Sequence, residues 1–394
     1  MLAKILQLRS FLTGTFLSHR RVPSTAVGDG DRILIERYDR VGDAILTLEV
    51  LSWVVRPGIT VDFLASPYNY FVFERLRRRI LGSVVVDNVF MLPPDLTAQW
   101  QGLRRIRVWD ALKLFRGLIL PLIIPLFEKG YGDRYAASVF FTPVYLKLRN
   151  VLKQSSDIIY TPSLRQHCGF HYPYRKNTRL VFGDMFRMLG LEISPMDEWS
   201  YWDIFEVEQD APDHSHIVFS LNATEHRVYS YRVLLEILRR LARRYDLLVL
   251  PKHSPSESMR LLEEHLKRDG IRVASERDLF DQAKYPLSSD LYVGFDSGPF
   301  HLHHHGTNAL FLSSRGAAFA WGPLVLKEPY ECEMRDRVWQ LWVGKSKKHT
   351  KAIFAPLGLK CVPCYETGCD SKPCTRPSVD ILFRSIESVL TAIS

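Results

Sequence analysis

A chain of 394 residues that is 46% hydrophobic and 24% charged is too long for one ordinary core and too apolar for extended disorder. Its 52 Lys and Arg against 43 Asp and Glu leave a net charge of +9, which favours an anionic partner: a nucleotide, a nucleic acid, a membrane surface or an acidic glycan. No run reads as a bilayer span, since the best, Gly117 to Phe127 (GLILPLIIPLF), is short, carries Pro121 and Pro125, and lies between Arg116 and Lys129; it suits a buried core or an interfacial segment.

Residues 1–30 read as an N-terminal extension. Gln7 and Arg9 break its apolar run and no small-residue cleavage site follows, which argues against a secretory signal. Leu2, Ile5, Leu6, Leu12 and Phe16 share one helical face, with Lys4, Arg20 and Arg21 nearby. Such a basic amphipathic helix either lies on an anionic membrane or docks on its own domain. From residue 31 strand and helix patterns alternate: strand Arg32–Glu36, helix Ala44 to about Val55, and strands Ile59–Ala65, Ser83–Val86 and Asp157–Tyr160. A helix from Leu180 to Leu189 follows, stopped by Gly190. The alternation predicts a parallel sheet with helices on both faces, over residues 31–205.

The acidic, proline-bearing stretch Glu206–Asp213 lacks periodicity and reads as a linker, bounded at 206–214. The pattern then restarts over residues 215–356. Strand Ile217–Ser220, helix Tyr231–Arg244, strand Leu247–Leu250, helix Glu257–Arg268 and strand Ile271–Ala274 come first. Strand Asp290–Phe295 follows, and Asn308–Leu312 closes the series. Residues 357–377 carry four cysteines. In the last segment, 378–394, Ser378 reads as an N-cap, and Val379, Leu382, Phe383, Ile386, Val389, Leu390 and Ile393 make one apolar face that must dock on something.

Two strand-to-helix junctions are placed to do chemistry, because ligands of open parallel sheets sit at the carboxyl ends of the strands. One is Arg37-Tyr38-Asp39-Arg40-Val41-Gly42-Asp43 after the first strand; the other is Asp296-Ser297-Gly298-Pro299-Phe300-His301. The second aims free N–H groups and a positive dipole end at one spot, which suits a phosphate. Read more simply, Asp296 or Ser297 caps a helix with Pro299 in its first turn, and Asp43 caps the helix behind Gly42. Asp29-Gly30-Asp31 has the D-x-D form of a metal-dependent sugar transferase but precedes its strand, at the wrong end for catalysis.

The stretch Ile33 to Thr47 (ILIERYDRVGDAILT) resembles the opening motif of glycosyltransferase family 9, the heptosyltransferases of lipopolysaccharide core. Asp290 to Leu302 (DLYVGFDSGPFHL) resembles that family's late signature, roughly DLFIGNDSGPMHLA. The resemblance runs in patches from about residue 31 to the end, the cysteine-bearing tail included. It implies an α/β GT-B fold: two Rossmann-like doubly wound domains facing a cleft, acceptor on the first and nucleotide sugar on the second, with the C-terminal helix packing back on the N-terminal domain. It implies inverting, metal-independent transfer of a heptose, by family default from ADP-heptose, to a lipopolysaccharide-core or other saccharide acceptor, in the cytoplasm or peripherally at the cytoplasmic face of the inner membrane. Asp43 falls on the family's general base, the carboxylate that takes the acceptor's proton. Arg227, Asp296, Ser297, Gly298, Pro299, His301 and Asn222 are the expected donor and phosphate contacts, with Arg37 and Arg40 on the acceptor. Arg227 stands near the family's usual Lys and Tyr229 near its Trp; Arg keeps the charge and adds bidentate geometry. Glu49 replaces an early Pro, and His303-His304-His305 replaces small residues. The rival readings are a GT-B transferase using another nucleotide sugar, and a degenerate or scaffolding basic protein. No nucleic-acid partner is expected, since no basic stripe interleaves with aromatics.

Cys361, Cys364, Cys369 and Cys374 have a spacing able to wrap one tetrahedral Zn or Fe, or to remain reduced thiols or form two disulfides; Cys168 and Cys332 stand apart. No cofactor is expected for catalysis itself. His301 and His305 are one helical turn apart, but His301 is assigned to the nucleotide site and its three neighbours to a helix surface. Arginine clusters at 75–79, 104–107 and 239–244 read as solvated faces or as anion-docking surfaces.

Overall fold

The computed structural model describes residues 26–37, 41–91, 136–140, 157–160, 177–205, 213–224, 227–314, 318–359 and 373–394. The N-terminal amphipathic segment, most of the linker, Arg40, the arginines at 104–107, Cys168, and Cys361, Cys364 and Cys369 lie outside them. The chain divides into two compact units: Met1–Gly169 with Arg179–Pro195, and Phe170–Thr178 with Met196–Ser394. The boundary therefore falls at Pro195/Met196, ahead of the acidic stretch read as the linker, because residues 197–205 are bonded into the second unit (below).

The first unit contains β1 (Arg32–Arg37), helix α1 (Val41–Leu51), β2 (Val54–Arg56), β3 (Ile59–Ala65), helix α2 (Tyr70–Glu74), β4 (Ile80–Leu81), β5 (Val84–Met91), β6 (Ala137–Phe140), β7 (Asp157–Tyr160), helix α3 (Thr178–Met188) and β8 (Glu192–Ile193). Its sheet runs β4-β5-β3-β1-β6-β7, parallel except for the short β4. The helix expected to reach Val55 ends at Leu51. β-branched Val54 and Val55 favour extended backbone, and Pro57 disfavours helix at the residue before it. They form β2, which pairs antiparallel with β8 apart from the main sheet.

Helix α1 is buried from Ala44 to Leu51, Glu49 included. Burying that carboxylate without a partner would be prohibitive. Arg179 of α3 supplies one: its Nε lies 2.7 Å from both Glu49 oxygens, and neither side chain meets solvent. The residue at which this chain departs from the family's proline is thus one half of an internal ion pair.

The second unit contains β9 (Ser215–Ser220), helix α4 (Tyr231–Ala242), β10 (Leu247–Leu250), helix α5 (Glu257–Arg268), β11 (Arg272–Val273), β12 (Ser289–Phe295), helix α6 (Gly298–His303), β13 (Ala309–Leu312), β14 (Glu328–Arg335), β15 (Gln340–Lys345), β16 (Thr350–Ala355) and helix α7 (Val379–Ile393). Its sheet order is β11-β10-β9-β12-β13-β16-β15-β14, parallel through β16 and antiparallel beyond. The strand series does not close at Leu312, as expected, but continues through three more strands. Fully buried β16 extends the parallel sheet, and exposed, acidic β14 ends it.

The terminal helix also differs from expectation. The resemblance placed α7 on the N-terminal domain; its apolar face is buried in the second unit instead. Ile381, Leu382, Phe383, Ile386 and Val389 join one core with Leu234, Ile237, Leu238 and Leu241 of α4. Two arginines of the third cluster secure it. Arg240 pairs with Asp380 and stacks 4.1 Å above the Phe383 ring, and Arg244 pairs with Glu387. These arginines therefore clamp a helix rather than form a bare solvated face.

The buried Glu49–Arg179 pair generates a stability prediction. Glu49→Ala leaves a buried guanidinium without its carboxylate and should cost about 3–5 kcal/mol in urea unfolding. Glu49→Leu combined with Arg179→Met removes both charges and should cost less than either single truncation. A loss in the double variant equal to the sum of the two single losses would show that the pair is not coupled.

Candidate active site

In the first unit, β1 ends at Arg37 and α1 places Asp43 in its first turn, where a carboxylate is favoured by the helix dipole. Arg37 was expected to face the acceptor. It is instead fully buried, with Nη2 3.3 Å from Asp43 Oδ1, and its Nε donates to the Asp43 carbonyl at 3.2 Å. The same carbonyl accepts from Thr47 Oγ1 at 2.9 Å. Asp43 keeps a side-chain exposure of 20%. The correction has a simple cause: the last residue of a central strand points into the layer between sheet and helix, and Arg37 stacks there 4.9 Å from the Phe182 ring of α3.

In the second unit the chain runs from β9 through β10 to β11 on one side and then crosses to β12 on the other, so the carboxyl ends of β9 and β12 flank a topological switch point. The loops after those two strands meet through Arg227 and Asp296. Arg227 Nη1 lies 2.8 Å from Asp296 Oδ2 and donates to its carbonyl at 3.1 Å. The buried Arg227 Nε has no hydrogen-bond partner among the described residues. His301 Nε2 lies 3.6 Å from the other Asp296 oxygen. Ser297 caps α6, its hydroxyl accepting from the Phe300 N–H at 3.4 Å, and Pro299 sits in the first turn. The capping reading is thus realised; the Asp296 N–H is tied to Leu312 O, while those of Ser297 and Gly298 belong to the helix start. Gly294, just before the motif, is required by packing: a Cβ there would come 2.8 Å from the Phe300 ring.

Asn222 was expected to bind the donor. Its Nδ2 donates to Pro251 O at 2.9 Å and Gln282 Oε1 at 2.8 Å, and its Oδ1 accepts from the His253 N–H at 2.9 Å. It braces the loops after β9, β10 and β11 against one another.

His303, His304 and His305 are buried, not on a helix surface. His303 Nε2 bonds Leu279 O at 2.8 Å, and burial pushes its imidazole down to about 4. His304 stacks on Phe300, and His305 Nδ1 accepts from the Trp199 N–H at 3.2 Å. The neighbouring Gly306 N–H donates to Glu198 Oε2 at 2.8 Å. Glu198 also lies 3.0 Å from the buried Lys351 Nζ and from His349 Nδ1, and accepts from Ser346. Burial alone would raise this carboxyl, but the His349 hydrogen bond and the Lys351 charge hold it well below the usual carboxylate range. This cluster at the strand-start edge, which fixes residues 197–199, escaped the sequence reading. Among the described residues no group of His, Cys, Asp and Glu could hold a metal ion, and Cys374 is buried on the turn Pro373–Thr375.

No protein-family profile and no curated protein sequence match the chain. Solved structures do. The chain is similar to E. coli heptosyltransferase WaaC with ADP, at 15% identity and a TM-score of 0.54, with 91% of this chain and 99% of that one covered. It is similar to a glycosyl transferase family 9 protein from Veillonella parvula at 12% identity and a TM-score of 0.54, covering 93% and 100%. At such identities the likeness establishes the fold, and that fold is the GT-B glycosyltransferase architecture of two Rossmann-like units. Among the described residues no helix is long and apolar enough to cross a membrane.

The neutral burial of His303 makes stability depend on pH. Its imidazole titrates near 4 in the native state and near 6.5 when unfolded, so between these values the unfolded chain holds the extra proton and stability falls as pH drops. From pH 7 to pH 5 the wild type should lose about 2 kcal/mol more than His303→Gln, measured by denaturant unfolding at both pH values. Identical losses would mean that His303 does not remain neutral in the fold.

Proposed function

We propose that this chain is an inverting, metal-independent glycosyltransferase moving a heptose, or a related sugar, from a nucleoside diphosphate to a saccharide acceptor such as lipopolysaccharide core. The observation that carries this is the Arg227–Asp296 contact, which joins two loops at the switch point of the second sheet beside His301 and the start of α6. A buried guanidinium nitrogen without a partner among the described residues, next to helix-start N–H groups, is chemistry suited to a diphosphate.

In the reaction an acceptor hydroxyl oxygen attacks the anomeric carbon and its proton passes to the Asp43 carboxylate. The bond from that carbon to the β-phosphate oxygen breaks, and its electron pair leaves on the nucleoside diphosphate. One displacement inverts the configuration. Arg227 and the N–H groups of Ser297 and Gly298 take up the developing charge, the role a divalent cation plays in metal-dependent transferases. His301, held beside Asp296, keeps the loop in shape. ADP-heptose as donor rests on the family resemblance, supported by the fold shared with an ADP-bound heptosyltransferase.

Calorimetry with ADP-heptose, UDP-glucose and GDP-mannose tests the donor. ADP-heptose should bind selectively and without added metal, and Arg227→Ala should weaken it by about tenfold or more, as loss of one charged contact requires. Selective binding of another nucleotide sugar would discard the heptose and keep the transferase, whereas no binding to any would favour a scaffolding role. For the base, Asp43→Ala should lower transfer to heptose-free lipopolysaccharide core by about 100-fold or more. Turnover within a few-fold of wild type would remove Asp43 from that role.

A further inference from the structure

We propose that Arg37 is a positioning residue for Asp43, fixing the orientation of its carboxylate. The proposal rests on the reading of Asp43 as the base. Arg37 addresses one residue in two ways: Nη2 lies 3.3 Å from the Asp43 carboxylate and Nε donates to the Asp43 carbonyl at 3.2 Å. Main chain and side chain of Asp43 are thereby held by a single planar group, a geometry that the five fixed donors of a guanidinium allow and an ammonium does not. The guanidinium is itself immobilised. It has no solvent exposure, stacks 4.9 Å from the Phe182 ring, and its own carbonyl accepts from Asn69 Nδ2 at 3.0 Å.

Stability alone does not explain this arrangement. Withdrawing a guanidinium from water carries a penalty that an apolar side chain would avoid, so a buried charge is weak evidence for stabilisation. What it provides here is direction. The carboxylate is held from the buried side and keeps a side-chain exposure of 20%. The helix carrying it is held a second time, because α3 supplies both Phe182 under Arg37 and Arg179 on Glu49, six residues along α1 from Asp43. A base displaced by about an ångström loses on the order of a hundredfold in rate, so fixing α1 and its carboxylate is worth a kinetic factor of that size.

The test is kinetic and spectroscopic. With ADP-heptose and heptose-free lipopolysaccharide core, Arg37→Met should lower kcat by about 100-fold and leave the donor KM within about twofold. Arg37→Lys should recover part of kcat, and Arg37→Met added to Asp43→Asn should cause no further loss. A kcat within a few-fold of wild type in Arg37→Met, with Asp43→Ala inactive, would overturn the positioning role and leave the base assignment standing. An active Asp43→Ala would remove the base itself. If Arg37→Met fails to fold, or no transfer is found, the nitrogen NMR signals of the Arg37 guanidinium decide without substrate. Slowly exchanging Nη signals in the wild type that change in Asp43→Asn support the pairing; signals identical in the two proteins overturn it.

Discussion

Two fully buried guanidinium groups determine how the first unit presents its chemistry. Arg37 and Arg179 approach α1 from a strand and from a neighbouring helix, and each ends on a carboxylate of that helix, Asp43 or Glu49. Apolar packing resists separation of a helix from a sheet but resists sliding and rotation only weakly, since one methyl contact replaces another. A charge pair in a low-dielectric interior is directional, and displacing either partner exposes an uncompensated ion. The register of α1 is thereby fixed at its first turn and again six residues later. Asp43 inherits that rigidity.

The second unit achieves its geometry differently. The parallel sheet brings the ends of β9 and β12 side by side, and one pair, Arg227–Asp296, closes the gap between their loops. Behind it the rim is tied by the Asn222 amide to the loops after β10 and β11. Beneath it, Gly294 admits the Phe300 ring, which stacks on Tyr292 and seats α6 against the sheet. Arg227, Asp296 and the start of α6 thus rest on packing within one unit.

Two strands that the sequence bounded correctly are largely buried. Ile59–Ala65 and Leu247–Leu250 match the expected bounds because continuous apolar runs flanked by turn residues have few other readings. β14 was missed because an edge strand keeps one side in water, and Glu328, Glu331 and Glu333 conceal its alternation. The motifs pointed to Asp43, Asp296, Ser297 and Arg227, yet could not say which polar atoms were already engaged. Arg37 and Asn222 carry the side chains of ligands. Their hydrogen bonds to Asp43 and to the rim loops depend on residues brought together by the fold, some 30 to 60 positions apart for Asn222.

The same distinction bears on the departures from the family's late motif. His303, His304 and His305 replace small residues, a change that reads in sequence as a loss of function. In space α6 starts with Ser297 beside the Arg227–Asp296 pair and ends at His303. The three imidazoles lie along its far end, on Leu279 O, Phe300 and the Trp199 N–H. There they accompany Glu198 and Lys351, which have likewise been built into the strand-start edge. The departures therefore coincide with a different internal scaffold, while Asp296, Ser297, Gly298 and His301 at the near end keep the motif.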